Sequence, residues 1–444
     1  MRKVGCVWLA VFFTGCADEG LSRQALLDPE TCATCHPSQV REWQGSMHAY
    51  ASDDPVFMAM NARGQRETEG SLGDFCVQCH APMALREGAT TDGLNLADVP
   101  RSLKGVTCYF CHNADAVEGT HNNPIVLAND AVMRGSFADA AEVAGHQTAY
   151  SPLLDRATIR SSDLCGSCHD VVTPRGVELE RTYAEWRSSL FSLDDPAQFQ
   201  SCARCHMPGR EGLAAEVDGV GVRRIASHMM PGVDVAITAW PEREAQHAAV
   251  QRALDTTVFS ILCVRRIAGG TEISIGLENL AAGHSFVSGA SHDRRVWLEL
   301  VATLGGQDVY RAGTVSDGTA LVDTSSAAFW RMGDLAFKED GSPAHMFWDV
   351  DHVDSSLLIA PTAVSPLDPR YVDPHVVRTF SFAGVADRIE MNIRLRPIGF
   401  DVLDDLIASG DLDASLREEM TTFSLAAARR VWTIDDGEGC IPDL

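Results

Sequence analysis

The chain has 444 residues, of which 45% are hydrophobic and 22% charged, with a formal net charge of −25. That is enough apolar material for a sizeable core spread over two or three domains. So acidic a surface repels nucleic acid and anionic membranes; it keeps the chain soluble and favours basic protein partners.

Residues 1–15 read as an export signal. Arg2 and Lys3 precede an apolar run from Val4 to Phe13 that is too short to cross a bilayer as a helix. The stretch "FTGC" at 13–16 is close to a bacterial lipobox, with Phe13 where leucine is usual. Cys16 is therefore the expected lipidation site, and ordinary cleavage nearby is the alternative. The expectation is a periplasmic or cell-surface lipoprotein of a bacterium, attached to the membrane by its lipid anchor only. Residues 16–30 follow as a linker.

Residues 31–240 carry one short pattern five times: "CATCH" at 32–36, "CVQCH" at 76–80, "CYFCH" at 108–112, "CGSCH" at 165–169 and "CARCH" at 202–206. Two thiols three residues apart share one helical turn and point the same way. They can add across the two vinyl groups of one haem, and the next residue can bind the iron from beneath. The pattern predicts five covalently attached haem c groups. Their attachment residues are Cys32, Cys35, Cys76, Cys79, Cys108, Cys111, Cys165, Cys168, Cys202 and Cys205. The proximal ligands are His36, His80, His112, His169 and His206. Zinc sites also use Cys-x-x-Cys, but they do not require a histidine after every pair. The whole set fits between Cys32 and His206, too short a stretch to give each haem a protein core of its own. The porphyrins must supply much of the interior and lie close together.

Past the motifs the grammar changes. "EREAQHAAVQRAL" predicts a connecting helix within residues 241–257. From 258 to 444, segments such as "TVFSILCVRR", "RRVWLELVATLGG" and "DRIEMNIRLRP" read as strands; Ile389, Met391, Ile393 and Leu395 alternate with polar neighbours. The expected class is α+β: a loop-rich α-helical pentahaem domain, then a β-sandwich-like domain ending in helices. Ser415 and Glu418 form a candidate capping box for a last helix over "MTTFSLAAARRVW". Cys263 and Cys440 remain, either as a disulfide or as two buried thiols. The paired acids Asp53 and Asp54, Asp194 and Asp195, and Asp404 and Asp405 read as solvated charges.

Each motif leaves one axial position to fill, and ten histidines lie outside the motifs. The stretch "CHPSQVREWQGSMHA" resembles the cytochrome c-552/4 (cytochrome c-554-type) multihaem family, as do "GVTCYFCHN" and "HQTAYSPLL...LCGSCHDV". The likeness covers roughly residues 30–235. It implies stacked and perpendicular haem pairs, mostly bis-histidine, that carry electrons. It makes His48 the distal ligand of a haem other than that of its own motif, and it adds His146 and His228. His121 and His284 complete a candidate set of five, with His292 a weaker competitor. Met47, Met83, Met207, Met229 and Met230 are rival ligands or packing residues.

An electron carrier is the leading expectation, with redox proteins, another cytochrome or a membrane conduit as partners. The alternative is a reductase or oxidase of a small nitrogen or sulfur compound, which needs one open iron. Related pentahaem nitrite reductases carry a Cys-x-x-Cys-Lys motif, absent here, whereas some members of the resembled family leave one haem without a distal histidine. A docking role for the β domain fits with either.

Overall fold

The computed structural model describes residues 20–442, apart from 142–144, 280, 322–327, 364–366, 368 and 370–374. The signal segment and Cys16 lie outside the described residues. The architecture is α+β, with a loop-rich N-terminal part of short helices and two-stranded ladders and a β-rich C-terminal part. No helix among the described residues is long and apolar enough to cross a membrane.

Short capped turns carry the N-terminal part. Thr107 and Ser201 stand directly before two motifs, and their hydroxyls accept from the backbone N–H of Phe110 and Arg204. Each cap starts a one-turn helix at the first cysteine, Cys108–His112 and Cys202–His206, so both thiols emerge on one side. The longest helix here, Pro55–Glu67, begins with proline behind an Asp54 cap. That cap corrects the reading of Asp53 and Asp54 as solvated. Asp54 accepts from Val56 N at 2.9 Å, and Asp53 pairs with Lys104 at 2.9 Å.

Helix Arg243–Leu254 leads into two antiparallel sheets. One orders strands 375–383, 270–279, 258–267 and 439–441; the other centres on 295–304 and 388–396. Their inner faces share one apolar cluster, with Leu262, Ile273 and Ile275 meeting Leu298, Leu300, Met391 and Ile393. Cys440 pairs with Cys263 in the ladder and is bonded to it, closing a separation of 177 residues.

The expected last helix is absent. Ala414–Glu419 is a short 3-10 helix capped by Asp413, not Ser415, and the stretch beyond forms strands Phe423–Ser424 and Arg430–Thr433 against 388–396. Leu425, Ala428 and Trp432 sink into the sandwich core, so tertiary burial overrides helix propensity.

The two parts are packed together. Val56, Ala59 and Leu72 share a cluster with Phe400, Leu403 and Leu406. Arg66 makes a two-pronged ion pair with Asp411 at 2.6 and 2.7 Å, and Trp240 Nε1 donates to Gln44 O at 2.7 Å.

Candidate functional site

The motif histidines are held by carbonyls. Nδ1 of His36, His80, His112 and His206 lies 2.6, 3.2, 2.6 and 2.7 Å from the oxygens of Ala214, Ala51, Arg134 and Pro231. A carbonyl only accepts, so Nδ1 carries the proton and Nε2 is left free for a metal. Burial lowers the pKa of all five motif histidines, to about 4 for His112 and about 3 for His169. They stay neutral, as metal ligation requires.

Four of them face a second histidine. His36 lies opposite His146 with ring centroids 6.1 Å apart, His169 opposite His48 at 6.1 Å, His112 opposite His228 at 6.3 Å and His206 opposite His284 at 6.3 Å. Rings stacked face to face sit closer, as Phe57 and His80 do at 4.1 Å. Nitrogens bound on either side of one metal, at about 2.0–2.1 Å each, hold the rings about 6 Å apart. No group of three or more His, Cys, Asp or Glu among the described residues is placed to hold a bare ion. Two histidines in line give a metal only its axial ligands, and a porphyrin supplies the four equatorial nitrogens. The residues present therefore fit haem c, with a cysteine pair beside every motif histidine.

The segment carrying His48 shows why its sequence reads as it does. Trp43 Nε1 donates to Val106 O at 2.8 Å, and Ser46 caps helix Met47–Tyr50 by accepting from Ala49 N. Val106 N donates to His48 O at 2.8 Å. Gly105 lies between, at φ +67°, where a Cβ would stand 2.5 Å from His48 O. The tryptophan, serine and glycine together aim His48 away from its own motif and into the fourth.

Two positions depart from the expected set. His121 is exposed, and its Nδ1 lies 3.2 Å from Thr120 Oγ1. The next two residues, Asn122 and Asn123, take left-handed backbone and donate to Asp170 O and Ser167 O, which turns His121 outward. It pairs with no motif histidine. Among the described residues His80 faces no second histidine either; its ring stacks on Phe57 at 4.1 Å with planes 4° apart. His292, the weaker competitor, is buried beside Asp293 instead. Met83 sits fully buried in an apolar cluster, a packing role.

The cysteines show how the motifs neighbour one another. Cys32 lies within hydrogen-bonding reach of Cys108, Cys79 of Cys168, and Cys165 of Cys202, all as free thiols. Cys111 is within electrostatic reach of Cys168. Spatial order therefore differs from chain order: first beside third, third beside fourth, and fourth beside both second and fifth. The unequal motif spacing hid this, because no local pattern encodes which turns meet. Phe57 and the carbonyls of Ala51, Ala214 and Pro231 carried no sequence signal at all.

Residues 31–113 match the sequence family described as cytochrome c554 and c-prime. No curated protein matches the chain. Its fold is similar to the crystal structure of a penta-haem cytochrome c552 from Thermochromatium tepidum, at a TM-score of 0.59 and 19% identity, over 93% of this chain and 100% of that one. The sequence likeness is confined to the part that carries the first three motifs, and the likeness to the penta-haem structure is one of fold.

Proposed function

We propose that the chain is an exported electron-transfer protein that binds five haem c groups. Bound haem supplies reversible one-electron chemistry; the chain's own residues fix its ligands, spacing and burial. The observation that carries the reading is the set of four histidine pairs at 6.1–6.3 Å. An iron held on both sides by these histidines would have no position for substrate and would change charge with little movement. The adjoining cysteines of neighbouring motifs support short steps along a branched path, from the first motif through the third and fourth to the second and fifth.

In this assignment His48, His146, His228 and His284 are distal ligands and His121 is not. Cys16 carries the lipid that anchors the chain outside the cytoplasm, and the partners are redox proteins. Haem stoichiometry by pyridine haemochrome, with the EPR spectrum of the oxidised protein, tests the core of this reading. The expected result is five haems with at least four low-spin ferric irons. Mass spectrometry of the mature N-terminus tests the lipid.

One observation favours a second reading for a single branch. Among the described residues His80 has no histidine opposite, so an iron held by it would be open to an external ligand. A high-spin signal equal to one iron, abolished by cyanide, is the expected signature. Its absence would leave a relay without a reactive end.

A further inference from the structure

An electron relay needs a point of contact with its partner. The net charge of −25 steers basic molecules towards the chain as a whole. The fifth motif departs from that. Among the described residues, Cys205 is the one exposed attachment cysteine. Arg156 and Arg204 both lie within electrostatic reach of it. Neither pairs with a carboxylate among the described residues. Arg156 donates to Met207 O and Arg204 O, both at 3.1 Å, and Arg204 donates to Phe199 O at 2.8 Å.

A third arginine crowds the first. A Cβ placed on Gly209 would meet Arg156 Nη1 and Arg224 Nε, each at 2.5 Å. Arg224 is exposed. Burial and the charges of Arg224 and Arg204 hold the Arg156 guanidinium below its usual range. Asp163, which reaches Cys202, is already engaged by Arg160 at 3.5 Å and by Tyr183 Oη at 2.6 Å. Glu211 stands opposite Arg224 in the ladder of 209–213 with 222–226, so three guanidinium groups face one carboxylate. Like charges packed in excess of their counter-ions are destabilising until an anion arrives. In haem c the thioether edge lies across the ring from the propionates, so this haem's own carboxylates do not supply it.

We propose that the Cys205 edge of the fifth motif, flanked by Arg156, Arg204 and Arg224, is the docking point for a redox protein that presents an acidic patch. This rests on the electron-relay reading above. The local field, not the net charge, then selects the partner at this end.

The test uses the haem-loaded, fully reduced protein in stopped-flow oxidation by ferricyanide and by a cationic cobalt(III) phenanthroline complex, across a salt series. Ferricyanide oxidation of the wild type is expected to slow as salt rises, despite the negative net charge. In R156Q/R204Q/R224Q the rate at low salt falls by about tenfold and the salt dependence reverses, while the cationic oxidant is not slowed. R224Q alone, at an exposed side chain, shows a smaller change in the same direction. A wild-type ferricyanide rate that rises with salt overturns the proposal. So does a shifted midpoint potential in R224Q, which would assign the arginines to a neighbouring haem's propionates. If a substoichiometric pulse of reductant fails to equilibrate among the haems, the relay reading itself fails, whatever the variants do.

Discussion

The rings of His48 and His169 stand 81° apart, whereas the other three pairs are within 26° of parallel. Parallel imidazoles act on one iron d orbital in common and split the pair that holds the unpaired electron. Crossed imidazoles act on both and leave them nearly equal. One ferric iron is therefore expected to give a low-field, strongly anisotropic EPR feature, and three to give ordinary rhombic spectra. His48→Met should remove the low-field feature and leave the rhombic ones. A spectrum of four rhombic signals would contradict the crossed pair.

Ser46 holds the helix that carries His48. Its hydroxyl accepts from Ala49 N at 3.4 Å and donates to Trp43 O at 2.7 Å while fully buried. Ser46→Ala should cost about 1 kcal/mol through the lost cap. It should also weaken the hold on His48, so that the variant binds cyanide at a second iron. Thermal melts and cyanide titration check the two effects separately.

Cys263 and Cys440 close a loop spanning a sequence separation of 177, which strongly restricts the unfolded chain. Cys440→Ser should cost about 2–5 kcal/mol of stability. Strand 439–441 is the edge of its sheet, so its ladder would open first. Denaturant melts with and without reductant give the cost; hydrogen exchange at Leu262 and Val264 reports the edge.

The carboxyl of Asp54 is pushed up to about 6 by burial, with Asp234 adding repulsion. An unfolded aspartate titrates near 3.9, so the folded chain holds this proton more tightly. The resulting stability is complete below about pH 4 and is lost as pH rises through about 6. Asp54→Asn keeps an acceptor for Val56 N and carries no charge. It should be more stable than wild type by about 1–2 kcal/mol at pH 8, with the gap closing at pH 4. Unfolding at the two pH values checks both the sign and the window.

The haem motifs and the alternation from Ile389 to Leu395 were readable because each is local: a turn fixes one, and a pleat the other. His48, His146 and His228 were recognisable through family likeness, and His284 was added beside His121 to complete the set, yet the motif histidine each one faces was not readable. That choice is made by contacts such as Trp43 to Val106, between residues far apart in sequence. His121 misled for the converse reason. Its proximity to the third motif is real, but the backbone bonds of Asn122 and Asn123 to the fourth motif turn it outward. The last 30 residues misled because "SLAAARR" has high helix propensity, whereas Leu425 and Ala428 gain more by entering the sandwich core.

The pairing of His206 with His284 has a bearing on how the molecule is made. The two residues come from opposite halves of the chain, and His284 sits between two strands of the sandwich. On the proposed reading of an exported protein, thioethers at all five motifs would be sealed while the second half was still emerging from the export channel. The fifth iron obtains its last ligand only once that half has been delivered and folded. A polypeptide cut short before residue 284 would leave His206 without the histidine that faces it. Coordination of a haem between His206 and His284 would thus report that the second half has been delivered and folded.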